Sequence, residues 1–166
     1  MSYVDPRGLD GWLVIIAKGD SGIGGHAAIA YFPLNSSEPV SPSCDCNTYS
    51  FFPPSIYPFI EDIGQERFVG LNENLEGDLS MVQKRNEEGY STRKMYLNDQ
   101  QEEKLHRMLR HAKNDLYTPI LPLGYQCTEF AHSVWNQFSD HKVYGWRLFK
   151  LRESIDRVPQ LRGPFK

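Results

Sequence analysis

Two short apolar runs joined by a glycine-rich segment constrain the fold most. Residues 12–17 are apolar and rich in β-branched side chains, which is typical of a buried strand. Residues 27–32 form a second apolar run of the same length. Residues 19–25 hold four glycines but lack the Gly-Lys-Ser/Thr of a phosphate-binding loop, so they predict a tight hairpin connection. The chain should therefore contain an antiparallel hairpin that belongs to a central sheet with His26.

Two more strands are predicted outside this hairpin. Residues 48–52 form a β-prone run that the Pro53-Pro54 pair would end, and residues 93–97 form another. Residues 58–89 show no clear period and predict irregular connections with, at most, short strands. The tail, residues 145–166, contains apolar side chains at only weak periodicity.

Two helices are predicted from apolar stripes at helical spacing. The first covers residues 99–112, where Asp99 can cap the helix and Glu102 stands three residues later, as in a capping box. The second covers residues 127–138. Its stripe begins at a cysteine: Cys127, Phe130, Ala131, Val134, Trp135 and Phe138. Strands and helices together indicate an α+β fold.

Length and charge limit the classes of function. The 166 residues fit one domain, residues 1–166, and the net charge of −3 gives no reason to expect a nucleic-acid partner. No apolar stretch approaches the roughly 18 residues of a membrane span, so no membrane insertion is expected. The first apolar run is too short for a secretory signal, which predicts synthesis in the cytoplasm without a Sec address. No motif calls for a cofactor.

The three cysteines do not suggest a disulfide framework, because their number is odd. Cys44 and Cys46 are two residues apart, a spacing at which a mutual disulfide is strained, and we interpret them as loop thiols. A zinc site formed by this pair and a histidine is the alternative, although their spacing is tighter than in structural zinc sites.

Cys127 and His26 are the residues that could perform chemistry together. A thiol in the first turn of a helix lies at the positive end of the helix dipole, which favours the thiolate. Free backbone N–H groups in the same turn can hold an oxyanion. His26 opens the second strand, with the small side chains of Ala28 and Ala30 on its face. The remaining histidines lie off the helix stripes or in a loop: His106, His111, His132 and His141.

Several short segments resemble those of one enzyme family, the circularly permuted NlpC/P60 hydrolases. In that family a Gly-His-Ala sequence opens an early strand, a Thr-Tyr-Gly-aromatic segment follows, and an Asn-Cys-Ser/Thr-x-Phe motif opens a late helix. The matching segments here are Gly25-His26-Ala27-Ala28-Ile29, Thr48-Tyr49-Ser50-Phe51-Phe52-Pro53 and Gln126-Cys127-Thr128-Glu129-Phe130-Ala131. Tyr96 to Gln101, Tyr117 and the stretch from Gly145 to Ile155 also look familiar. Gln126 replaces the common Asn, and Ser50 replaces the common Gly.

The resemblance implies a papain-like fold in permuted order: an antiparallel sheet packed against helices, with the nucleophile at a helix N-terminus. It implies a cysteine peptidase or amidase with Cys127 as nucleophile and His26 as base, acting on amide bonds in peptidoglycan peptides. A third residue should orient the imidazole from a neighbouring strand. Ser50 is our candidate and Thr48 the alternative, although both could simply make ordinary strand hydrogen bonds.

Some members of the family are toxic effectors of type VI secretion systems. The resemblance therefore implies an antibacterial effector that a secretion-system carrier delivers to the periplasm of a target cell, with an immunity protein as partner. The principal alternative is a thiol acyltransferase similar to lecithin–retinol acyltransferase, which shares the permuted fold. A non-catalytic metal-binding module is the other.

Overall fold

A five-stranded antiparallel sheet organises the part of the chain that the structure describes. The structure is a computed structural model and describes residues 11–19, 25–33, 46–51, 71–113, 127–145 and 147–160. The strands are β1 (Gly11–Lys18), β2 (His26–Pro33), β3 (Asn47–Phe51), β4 (Leu71–Glu73) and β5 (Tyr90–Leu97). Their order across the sheet is β4-β3-β2-β1-β5. The antiparallel α+β architecture predicted from sequence is therefore present.

The central hairpin is the one predicted from the two apolar runs. β1 and β2 pair along their full length, from Gly11 opposite Pro33 to Lys18 opposite His26. The hairpin narrows beyond this last pair, since a Cβ added to Gly19 would meet the backbone of Gly25. Gly19 also has φ of 120°, a conformation that glycine adopts readily. The glycines therefore allow the close approach that places His26 at the end of the sheet.

Four helices accompany the sheet in the described ranges: α1 (Glu76–Gln83), α2 (Asp99–Ala112), α3 (Cys127–Asn136) and α4 (Leu148–Arg157). α2, α3 and α4 contribute side chains to the apolar cluster that contains Leu13, Ile15 and Ile29 of the sheet. α1 contributes Met81 and Val82 to a smaller cluster with Val14 and Ala30, on the opposite face. The sheet thus lies between α1 on one side and the other three helices on the other.

Two of the four helices were not predicted. α1 lies in the segment expected to be irregular, because its sequence is polar, contains Gly77 and starts without a side-chain cap. α4 lies in the tail that showed weak periodicity, although its buried side chains, Leu151 and Ile155, are four residues apart. α2 was predicted correctly, but Asn98 caps it in place of Asp99, in a capping box with Gln101.

Candidate functional site

His26 is the first residue of β2, and its side chain is 16% exposed. Because side chains alternate along a strand, His26 shares a face with Ala28 and Ala30. This is the face that α1 covers, since Ala30 packs in the cluster with Met81 and Val82. The small alanine side chains therefore leave room for a helix beside the imidazole.

Asp78 of α1 holds the ring from this side. Its Oδ1 lies 2.9 Å from His26 Nε2, and its Oδ2 accepts a hydrogen bond of 2.6 Å from the Ser50 hydroxyl. Asp78 is 1% exposed and Ser50 is fully buried. A buried carboxylate is tolerated when hydrogen bonds satisfy both of its oxygens, which is the arrangement here.

Cys127 reaches the same ring from the other side of the sheet. It is the first residue of α3 and packs against the larger apolar cluster. Its thiol lies near enough to the imidazole to raise the pKa of His26. Asp78 occupies Nε2, and the other ring nitrogen, Nδ1, is buried from solvent. The imidazole therefore lies between a thiol and a carboxylate that approach from opposite faces of the sheet.

The electrostatic surroundings favour the protonated form of His26. Burial by itself lowers the pKa of this imidazole, but hydrogen bonds to Asp78 and Cys127 and the charges of both raise the pKa to about 9. The ring is accordingly an imidazolium at neutral pH. An imidazolium beside a cysteine can donate its proton to a leaving group.

The structure brings three of the sequence candidates together and assigns them unequal positions. His26 and Cys127 are in contact, as the strand and helix patterns suggested. Ser50 donates a hydrogen bond to Asp78 and not to the ring of His26, so it does not itself orient the imidazole. Thr48 has a fully buried hydroxyl without a hydrogen-bond partner among the described residues. The residue that does contact the ring, Asp78, was missed because it lies on a helix that the sequence pattern did not reveal.

The other histidines have different surroundings. His106 Nε2 lies 3.0 Å from Glu102 Oε1 on the same helix, α2. Burial lowers the pKa of His132, which lies on α3 beyond the first turn. Neither is placed in the group formed by Cys127, His26 and Asp78.

One of the two remaining cysteines, Cys46, differs from the loop thiol expected. Cys46 is disulfide-bonded, so its interpretation as a thiol was wrong, whereas Cys127 is free. Within the described ranges no group of three His, Cys, Asp or Glu side chains could hold a metal ion. Cys44, Gln126, Tyr117 and the Pro53-Pro54 pair lie outside the described residues.

Comparison with known proteins adds no relative. No protein-family profile matches the chain, and no match is found among curated proteins or solved structures. Of the helices in the described part of the chain, none has the length and apolar character needed to cross a membrane.

Proposed function

We propose that this protein is a cysteine hydrolase whose catalytic residues are Cys127 and His26, with Asp78 orienting the imidazole. The observation that carries the proposal is that His26, whose pKa the nearby Cys127 thiol raises, is hydrogen-bonded through Nε2 to the buried carboxylate of Asp78. Nucleophile, proton carrier and orienting acid stand in this order in thiol and serine hydrolases of unrelated folds. A cysteine at the start of a helix adds backbone N–H groups as oxyanion donors.

The chemistry follows from the protonation state of the ring. The Cys127 thiolate attacks the carbonyl carbon of an amide, and backbone N–H groups in the first turn of α3 hold the resulting oxyanion. As the C–N bond breaks, His26 transfers its proton to the leaving amine and a thioester remains. Water then attacks the thioester, His26 accepts the proton of this water, and the acid leaves as the thiolate is restored. Asp78 keeps Nε2 occupied, so Nδ1 carries the proton toward the reacting atoms.

The proposed substrate is an amide bond in a peptidoglycan peptide. This step depends on the resemblance to permuted NlpC/P60 hydrolases, in which the histidine precedes the cysteine by about a hundred residues. Two structural features support it: an antiparallel sheet with the histidine at the start of a strand, and a nucleophile at the first residue of a packed helix. Papain-like topology in permuted order is part of the same proposal.

We further propose that the protein acts as an antibacterial effector in the periplasm of a target cell. A wall hydrolase confined to the cytoplasm of its producer meets no substrate, so a secretion-system carrier and an immunity protein belong to this hypothesis. The disulfide at Cys46 supports it, because disulfides persist in oxidising compartments such as the bacterial periplasm.

The direct test is mass spectrometry of peptidoglycan fragments after incubation with purified protein. We expect new peptide products from the wild type, none from Cys127→Ala, and strongly reduced amounts from Asp78→Asn. His106→Gln is the matched control, since it removes a histidine that lies outside the proposed triad. Unchanged cleavage by Cys127→Ala would refute the nucleophile.

A cellular test addresses delivery and substrate separately. With an added signal peptide, the wild type should lyse a Gram-negative host from the periplasm, whereas Cys127→Ala and His26→Ala should not. Lysis that depends on Cys127 but leaves the muropeptides unchanged would retain the Cys/His enzyme and discard peptidoglycan as substrate. Transfer of acyl groups between lipids, with binding to liposomes, would instead favour the acyltransferase.

A further inference from the structure

Ser50 makes one of the two hydrogen bonds that fix the buried carboxylate of Asp78. The Ser50 hydroxyl has one acceptor in the described structure, Oδ2 at 2.6 Å, while Oδ1 of the same carboxylate faces His26. Charge-assisted O–H to carboxylate hydrogen bonds of this length are among the stronger ones in proteins. The two bonds together determine the plane in which the carboxylate lies.

The helix that carries Asp78 gives this carboxylate little other restraint. α1 has eight residues and begins without a side-chain cap. Only two of its apolar side chains, Met81 and Val82, enter the cluster beneath the sheet. Short helices depend on such tertiary contacts, because the helix by itself is marginal. A hydrogen bond from the sheet is therefore a substantial part of what holds Asp78 in place.

Ser50 is suitably placed to provide this bond. β3 pairs with β2, the strand of the catalytic histidine, with Tyr49 opposite Ile29. Ser50 is one residue past this pair in the direction of His26. The serine and the histidine thus present their donors to one carboxylate from adjacent strands of a rigid sheet.

We propose that Ser50 is a positioning residue for the hydrolase, which orients Asp78 so that the imidazole presents Nδ1 to Cys127. This inference depends on the proposed function, since it assigns a role within the same site. Ser50 does not touch the reacting atoms; it acts through Asp78, and Asp78 acts through the ring.

The titration of His26 is the readout that a merely structural serine would not move. The charged and titratable groups that act on this ring are Asp78 from α1 and Cys127 from α3. Lys18 is its cross-strand partner on β1. Lys18 Nζ lies 5.3 Å from the centre of the Tyr90 ring, on the side away from β2. Displacement of the carboxylate should therefore lower the pKa of His26 from about 9, because two of the contributions that raise it come from Asp78.

Thr48 offers a matched control on the same strand. It is as fully buried as Ser50 and, two residues away, lies on the same face of the sheet, but its hydroxyl has no hydrogen-bond partner. Thr48→Val removes a buried hydroxyl while preserving shape, so it tests whether loss of any β3 hydroxyl has the same effect.

The experiment compares Ser50→Ala, Ser50→Thr and Thr48→Val with the wild type. The pKa of His26 is followed by NMR on protein with labelled histidine, with the signal assigned from its absence in His26→Gln. For Ser50→Ala we expect a lower pKa of His26 and a loss of roughly tenfold or more in kcat, with KM little changed. The reason is that a misplaced catalytic group stabilises the transition state less well. Ser50→Thr keeps the donor and should retain both values, and Thr48→Val should match the wild type.

The outcomes separate this inference from the proposed function. If the wild type cleaves and its His26 titrates near 9, but Ser50→Ala does the same, the positioning role is wrong and the triad stands. If Thr48→Val lowers kcat and the pKa of His26 as much as Ser50→Ala does, the positioning role of Ser50 is also wrong. If wild-type His26 titrates near 6.5 and no thiol-dependent cleavage occurs, the proposed function itself fails. Should Ser50→Ala not fold, Ser50→Cys takes its place with the same outcomes, because a thiol is only a weak donor.

Discussion

Replacing Asp78 with asparagine removes the charge beside His26 at almost no change in volume. The amide can still accept from the Ser50 hydroxyl through its oxygen, in which case its NH₂ group faces His26 Nε2. That group requires an acceptor, so the ring would move its proton to Nδ1 in the neutral state. Alternatively, the amide turns its oxygen toward the ring and loses the bond from Ser50. Both arrangements remove the carboxylate that favours the imidazolium.

The size of the effect follows from the pKa of His26. With a pKa of about 9, about 97% of the rings are protonated at pH 7.5. At the ordinary value of 6.5, about 9% would be protonated at the same pH. Burial, which lowers the pKa, remains in the variant. We therefore expect the fraction of His26 that is protonated at pH 7.5 to be severalfold lower in Asp78→Asn than in the wild type, and up to about tenfold lower.

Two assays measure this change without knowledge of the substrate. NMR titration of the His26 ring gives the pKa directly. The rate at which iodoacetamide alkylates Cys127, followed by peptide mapping from pH 5 to 10, reports the reactivity of the thiol beside the ring. In Asp78→Asn, alkylation near neutral pH should slow, and the alkaline limb of hydrolysis should begin at lower pH. Once a substrate is found, hydrolysis should decrease by roughly 10²- to 10⁴-fold, the range for losing acid–base assistance.

The reasoning would be refuted by a folded Asp78→Asn protein in which His26 still titrates near 9. Such a result would mean that Cys127 alone raises the pKa, and that the contact with Asp78 is incidental. Glu76→Gln is the matched control. It removes a carboxylate from the same first turn of α1, but its exposed side chain is not among the causes of the raised pKa.

Four further substitutions test the site and the packing around it. Cys127→Ala should lower the pKa of His26 in the NMR titration, because the thiol is the second source of the raised value; an unchanged pKa would place the thiol elsewhere. The pKa of His26 is higher in the folded than in the unfolded state, so protonation of this ring stabilises the folded protein. This contribution to the free energy of unfolding should be complete below pH 6.5 and disappear as the pH rises through about 9. At about 1.4 kcal/mol per pH unit, this contribution amounts to roughly 3 kcal/mol. It can be measured by comparing the urea unfolding of wild type and His26→Gln at pH 6 and at pH 10. A stability difference between the two proteins that does not depend on pH would contradict the prediction. Gly25→Ala should destabilise the protein by about 1–3 kcal/mol, since its Cβ would collide with Leu148 and with the backbone of Lys18. Gly77→Ala, with open space around it, should instead stabilise α1 by roughly 0.5–1 kcal/mol, and equal thermal shifts for the two would count against the packing argument.

The parts of the fold that sequence predicted are those whose pattern comes from local burial. The runs around Ile15 and Ile29 alternate between two covered faces, so β1 and β2 read as apolar strands. The helix from Cys127 buries one continuous stripe and was found for that reason, although its predicted end at residue 138 lies two residues past Asn136. Its cysteine could be identified as a nucleophile candidate from position alone.

Asp78 could not be identified in this way, because nothing local distinguishes it. It is one of two acidic residues in the first turn of a polar helix, and the other, Glu76, is exposed. Its importance depends on the pairing of β3 with β2 and on the packing of α1 across the sheet, which are contacts between distant residues. The sequence places Ser50 on a neighbouring strand and so makes it a candidate. The missing information was that a carboxylate lies between it and the ring.

The alternation around His26 contained an indirect sign of that carboxylate. Three consecutive positions on one face of β2 hold a histidine and two alanines, and a strand surface of such small side chains admits another element. If the nucleophile's helix filled this space, Cys127 would approach over the alanines. The structure instead places that helix on the face of Ile29, and the space is taken by the helix that holds the acid. The thiol consequently meets the ring only at the end of β2, where the hairpin glycines leave His26 at the margin of the sheet. A histidine in the middle of this strand would be accessible from one face only, so its terminal position is what permits a thiol and a carboxylate from different faces of the sheet to act on one ring.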